Sequence, residues 1–221
     1  MKKLTQFLKK YDFPIHLLAC WTAVCVRAST LFHTATTKFK FKLLGCPVGK
    51  GFKIDGKLWI RVQKKGRIRI GDNVKINSRF GSNLVGLANP AVFQCLDDGI
   101  ITIGNNSGLS SAVLSARSSI TIGENVNIGG NVRIFDHNFH SLDFRNRRYP
   151  LKDQADCRTG PVRIGDDVFV GTNAMILKGV KIGSRAVIGA GSVVHCDVPA
   201  DEIWAGNPAR LVKKPETKQS A

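Results

Sequence analysis

From Ile164 onward the chain repeats every six residues, with aliphatic side chains at Ile164, Val170, Ile176, Ile182, Ile188 and Val194. Four places after each comes a small or aliphatic residue: Val168, Ala174, Val180, Ala186, Ser192 and Val198. The template also runs through Ile122, Ile128 and Ile134 (with Val126 and Val132) and through Ile103 and Leu109 (with Ser107 and Val113). Ile70 and Ile76 open the series, and the spacing is lost between residues 81 and 102. A period of six matches neither a helix face nor an alternating strand. It predicts short strands separated by sharp corners, three to a triangular coil, with each aliphatic residue stacked on its equivalent eighteen residues later. Gly with Asn or Asp in Ile164-Gly165-Asp166-Asp167 and Ile122-Gly123-Glu124-Asn125 suits the backbone of tight corners.

The start of the chain has a different pattern. An apolar run from Phe13 to Val26 ends at Arg27 and predicts a helix over residues 3–33. The run falls short of the roughly 18–20 residues that span a bilayer. Lys9, Lys10 and Asp12 separate it from the N-terminus, and no cleavage site follows, so a signal peptide is not expected. The helix is expected either to pack on the domain or to lie at a membrane surface. Three segments follow: a basic helical or extended stretch over residues 1–60, the repeat over 61–204, and a tail over 205–221.

The Ile-Gly-x-x-Val/Ala repeat over about residues 68–198 resembles the hexapeptide acyltransferases. IGAGSVVHCDVPADEIWAGNPARLVKK (188–214) is especially similar to the galactoside, maltose and nodulation-factor acetyltransferase branch, and a basic helical preface is similar to acetyltransferases of cell-surface polysaccharide synthesis. The resemblance implies an all-β, left-handed parallel β-helix solenoid with an N-terminal helical segment and a short C-terminal extension, assembled as a homotrimer.

The repeat pauses after Ile134 and resumes at Val162, so residues 136–161 leave the coil. Long loops in compact domains carry function or are disordered. FDHNFHSLDFR (135–145) holds two of the five histidines. In the resembled family this loop reaches a neighbouring subunit, and a His-Pro-x-Asp segment supplies the general base. His140-Ser141-Leu142-Asp143 matches that register, with Ser141 in place of proline, which makes His140 the expected base and His137 its rival. Imidazole, ordinarily titrating near 6.5, is suited to taking a proton from an acceptor hydroxyl that attacks acetyl-CoA. Asp136 and Asn138 are the expected orienting partners. The resemblance assigns Thr172, Ala190 and Gly191 to the pantetheine arm, Arg210 and Lys213 to the CoA phosphates, and Ser111 and Asp143 to the acceptor. Metal catalysis is not expected, because His16, His33 and His195 lack the spacing of the zinc-binding β-helix carbonic anhydrases.

Charge changes the picture at one end only. Residues 1–80 carry 18 Lys/Arg against three Asp, whereas residues 81–221 carry 15 against 13 Asp/Glu. A cationic front half suits a phosphorylated ligand, an anionic membrane surface or plain solvation; no helix-turn-helix, zinc-finger or RNP signature supports nucleic acid. Six scattered cysteines without a CxxC pair fit reduced thiols in a cytoplasmic protein, at most peripheral to the inner membrane face. The combined expectation is an acetyl-CoA-dependent O-acetyltransferase of a saccharide hydroxyl, on a cell-surface glycan or its lipid- or nucleotide-linked precursor. N-acylation of an amino-sugar nucleotide and a non-catalytic trimeric β-helix binding module are the alternatives.

Overall fold

The computed structural model describes residues 15–213, with side chains from Leu18 on. The parts of the expected N-terminal helix before residue 15, and of the tail after residue 213, lie outside the described residues. Within them the six-residue pattern closes into a parallel β-helix of three faces. Face one begins at Lys53–Gly56 and runs through Lys75–Ser78, Gly108–Ser110, Asn127–Gly130, Phe169–Val170 and Val187–Ile188 to Ile203–Ala205. Face two runs from Trp59–Val62 to Val193–Val194, and face three from Ile68–Ile70 to Lys181–Ile182. The first coil therefore starts at Phe52–Lys53, inside the stretch read from sequence as a basic preface.

Register follows the pattern closely. Val170 pairs with Ile188, Ile176 with Val194 and Ile164 with Ile182, and all six side chains are buried. The intervening residues point outward, as the buried–exposed–buried strand Val162–Ile164 shows. The corner from face three to face one is turned by residues in the left-handed region, Asn73, Asn106, Asn125, Asp167, Arg185 and Asp201. Asn and Asp tolerate that conformation because their short polar side chains hydrogen-bond locally. Ser111, Asn131, Asn173 and Gly191 turn the corner from face one to face two in the same way.

Both ends of the solenoid are covered, as exposed strand edges require. Helix α1 (Ile15–Leu43) lies against the first coil. Phe41, fully buried, meets Phe52 edge-on at 6.2 Å. Thr34 Oγ1 accepts the Ile54 N–H at 3.0 Å, and Ser29 Oγ donates to Asp55 Oδ1 at 2.7 Å, so helix side chains satisfy the edge strand's polar groups. Gly45, at φ +63°, ends the helix, with Cys46 N–H donating back to Phe41 C=O at 2.9 Å and Gly45 N–H to Lys42 C=O at 3.1 Å. At the other end the strand Arg210–Lys213 folds back antiparallel on Ile203–Ala205. No helix among the described residues is long and apolar enough to cross a membrane.

Candidate active site

The repeat breaks at the corner between faces two and three, and Asp136 is the physical reason the chain can leave there. In the preceding coil Cys95 pairs with Ala116, and Leu96 N–H donates to Ala116 C=O at 2.8 Å. One coil on, the same register would hand Arg117 N–H to Asp136 C=O. Instead the Asp136 carboxylate takes both Arg117 N–H and Ser118 N–H, each at 2.7 Å. Its own carbonyl is thereby released to accept Gly160 N–H at 2.7 Å. Asn138 N–H donates to Arg158 C=O at 2.9 Å, and His137 bridges Thr159 antiparallel. The loop thus leaves on a two-stranded neck, and the coil resumes with Val162 paired to Ile120.

Beyond the neck the loop folds on itself as two short helices, α2 (Phe144–Arg147) and α3 (Pro150–Ala155). Asp143 caps α2 by accepting Arg145 N–H at 2.9 Å. It also pairs with the Arg145 guanidinium at 2.7 Å, which holds its carboxyl below the usual carboxylate range. Its two oxygens are therefore committed to the loop. Ser141 Oγ, buried, donates to Asp156 and accepts Asp143 N–H at 3.0 Å. A serine where the resembled family has proline ties the loop together through its hydroxyl.

The two histidines have opposite environments. His137 is buried, its Nδ1 2.9 Å from Asp136 Oδ1, with Nε2 lacking a partner and the Phe139 ring centroid 4.7 Å from its own. His140 leaves 68% of its side chain in the open, with Nδ1 2.7 Å from Asp153 Oδ2. Asp153 Oδ1 accepts Ser141 N–H at 2.6 Å. The His140 contact, then the Ser141 N–H, lower the Asp153 carboxyl below its ordinary value. A carboxylate held at Nδ1 selects the tautomer whose Nε2 is bare of hydrogen and open to accept a proton. The partner of His140 is thus Asp153, on α3, and not Asp136 or Asn138. Asp136 holds His137, and Asn138 C=O receives the Cys157 thiol. Thirteen residues separate His140 from Asp153, and no periodicity marks the pair.

The other expected site residues gather on a different edge of the prism. Thr172, Ala190 and Gly191 occupy adjacent coils at the corner from face one to face two, with Gly191 N–H donating to Thr172 C=O at 2.8 Å. Small residues are compulsory along this edge, since a Cβ on Gly171 would stand 2.5 Å from Ala190 N. Around Gly191 the space is open, leaving a narrow strip between exposed backbone and solvent. Thr172 Oγ1 donates to Gly130 C=O at 2.7 Å, which leaves its lone pairs available. Ser111 lies on the same edge, paired with the Asn131 corner; it is buried at φ +47°, and its Oγ has no hydrogen-bond partner. Exposed Arg210 pairs with Ala205, whose Cβ in turn would lie 2.8 Å from a Cβ on Gly189, so the C-terminal strand continues the small-residue edge. Lys213 pairs with Ile203 on that strand. No cluster of three His, Cys, Asp or Glu side chains that could hold a metal ion occurs among the described residues.

Residues 161–196 match the family model of the bacterial transferase hexapeptide (six repeats). The chain is 53% identical over 58 residues to 2,3,4,5-tetrahydropyridine-2,6-dicarboxylate N-acetyltransferase of Clostridium perfringens, covering 26% of this chain and 25% of that one. It is 35% identical over 96 residues to galactoside O-acetyltransferase of Escherichia coli, covering 43% of this chain and 44% of that one. Among solved structures, the hexapeptide-repeat containing acetyltransferase VCA0836 of Vibrio cholerae superposes with a TM-score of 0.54 at 28% identity, over 81% of this chain and 80% of that one. The chain spans about half the length of the curated relatives it matches. The three-faced parallel coil, the matched repeat and these likenesses make the chain similar to the hexapeptide-repeat acyltransferases, with a left-handed parallel β-helix as its fold.

Proposed function

We propose that the protein is an acetyl-CoA-dependent O-acetyltransferase acting on a saccharide hydroxyl, with His140 as general base. The observation that carries this reading is the exposed His140 ring, anchored through Nδ1 to Asp153 at 2.7 Å with its other nitrogen turned to solvent. His137 has the better-buried carboxylate partner, but its Nε2 is sealed from any acceptor. The likeness to a galactoside O-acetyltransferase supports a sugar hydroxyl as acceptor.

The donor brings a thioester carbonyl. His140 Nε2 takes the acceptor hydroxyl proton as that oxygen bonds to the carbonyl carbon, and returns the proton to the departing sulfur. A backbone N–H of the small-residue edge stabilises the oxyanion. The strip at Thr172, Ala190 and Gly191 suits an extended pantetheine arm, and Arg210 and Lys213 suit the phosphates. Ser111 is the acceptor-side group on that edge; Asp143 acts through the loop's shape, because its carboxylate is engaged by Arg145.

A homotrimer completes this site. The His140 loop departs from the corner between faces two and three, whereas the small-residue strip lies between faces one and two. A face of about six residues at roughly 3.3 Å each sets these edges about 15–20 Å apart. Packing two prisms side by side brings the loop of one to the strip of the other. Presentation of the acceptor at an anionic membrane face is the partner side of this reading.

Acetyl transfer to a panel of hydroxyl and amino sugars tests it. His140→Ala should lower kcat about 100- to 10,000-fold with acetyl-CoA binding retained. Full activity of that variant refutes the base, and CoA binding without transfer to any sugar favours a binding module.

A further inference from the structure

Helix α1 turns one mixed face to the solenoid and leaves a second, apolar face exposed. At about 100° per residue, Ser29, Thr34, Thr37 and Phe41 point to the first coil. Trp21, Val24, Leu31, Phe32, Phe39 and Leu43 fall in a sector of roughly 120° on the opposite side, and all six are well exposed, Trp21 at 68% and Leu31 at 72%. No acid occurs between Ile15 and Leu43; Arg27 and Lys38 border the stripe on one side and Lys40 on the other, and Lys42 falls within it.

Beside the helix runs a groove of about 660 Å³ between α1 and the first coil, lined by Phe52, Thr34, Arg27, Lys38 and Lys53 and reaching the edge of the stripe at Leu31. Lys53 and Lys75 carry the cationic rim onward along face one. Among the described residues no carboxylate pairs with Arg27, Lys38, Lys53 or Lys75. The nearest acid in the rim, Asp55, is occupied by Ser29 Oγ at 2.7 Å and Arg79 Nε at 2.9 Å.

We propose that the outer face of α1 and its cationic groove form a docking surface for an anionic phospholipid bilayer. The apolar stripe enters the acyl boundary with Trp21 at headgroup depth, and the groove lysines and Arg27 receive lipid phosphates. An interfacial helix presents an apolar face bordered by cations, and α1 carries both from Trp21 to Leu43, along about 33 Å. Charge selects this occupant over a second copy of the chain, because pairing two such stripes would press two acid-free cationic borders together. The inference deepens the membrane-presented acceptor named above, but its chemistry rests on α1 and the groove alone.

Flotation of the full chain with vesicles of phosphatidylcholine, with and without about a third phosphatidylglycerol, tests it. The protein should float only with the anionic vesicles, and binding should fall several-fold between about 0.1 and 0.5 M salt. Trp21→Glu, and separately the pair Lys38→Glu with Lys53→Glu, should each weaken binding about tenfold or more. These side chains lie at the surface, and an unchanged circular dichroism spectrum confirms that the variants fold. Equal flotation with neutral vesicles, no flotation with anionic ones, or a Trp21→Glu variant that changes oligomeric mass and not flotation each overturns the proposal. Flotation is read without an acyl donor, so its failure is distinct from a failure of acetyl transfer.

Discussion

Asp136→Ala removes the one side chain that lets the chain leave the coil. The carboxylate is fully buried and accepts three hydrogen bonds: Arg117 N–H and Ser118 N–H at 2.7 Å and His137 Nδ1 at 2.9 Å. Alanine offers no side-chain acceptor, and the Asp136 carbonyl is turned to Gly160 N–H in the neck. Two backbone N–H groups of half-buried residues then lose their partner, each costing up to about 1–3 kcal/mol, and the buried imidazole loses its anchor as well. The expected total is about 3–5 kcal/mol. Asn in place of Asp keeps one acceptor but turns an NH₂ toward a backbone donor, so it should lose about half as much. Equilibrium denaturation at matched protomer concentration gives the totals. Hydrogen exchange resolves the cause, since the Arg117 and Ser118 amides should lose protection in Asp136→Ala before amides near Ile176 and Ile188 do. A destabilisation under about 1 kcal/mol, or unchanged protection at those two amides, would refute the account of how the loop leaves.

Two further outcomes follow from the geometry. The Asp153 carboxyl is held low by His140 and by Ser141 N–H, so the order it lends the loop is present above the ordinary carboxylate value near 3.9 and lost only as pH falls through its lower folded value. Limited proteolysis of α2 and α3 should therefore be slow at pH 5 and accelerate only well below pH 4, and Asp153→Asn should make it faster already at pH 5. Gly171→Val should destabilise the coil by more than about 2 kcal/mol in thermal unfolding, because even its Cβ would stand 2.5 Å from Ala190 N.

The solenoid was legible in the sequence because a β-helix repeats one local environment. Each inward position demands an aliphatic side chain and each corner a residue that tolerates left-handed geometry, so Ile164 through Val194 spell out the faces directly. The same logic marked the exit after Ile134, since a missing beat shows where the chain leaves. The start was harder to see. Phe52 and Ile54 are buried in the first coil, but an excursion between Ser78 and Ala91 separates them from the regular series, and 33 residues in place of eighteen lie between Phe93 and its partner Ile60.

The site divides in the same way. His140, Thr172, Ala190 and Gly191 were named through the family resemblance, which carries proposed roles onto matching positions of this sequence. Only the tertiary structure decided that Asp153 orients His140, that Asp136 serves the neck and His137, and that Asp143 caps α2. It also decided that the outer apolar face of α1 is exposed among the described residues. Those outcomes depend on how an aperiodic loop and a helix end meet the coil, and such contacts join residues whose spacing carries no signal. The sequence by itself determined the coil from Ile164 onward, because there each inward residue's partner is eighteen positions away. The loop's chemistry belongs to three-dimensional packing, because there that number is free.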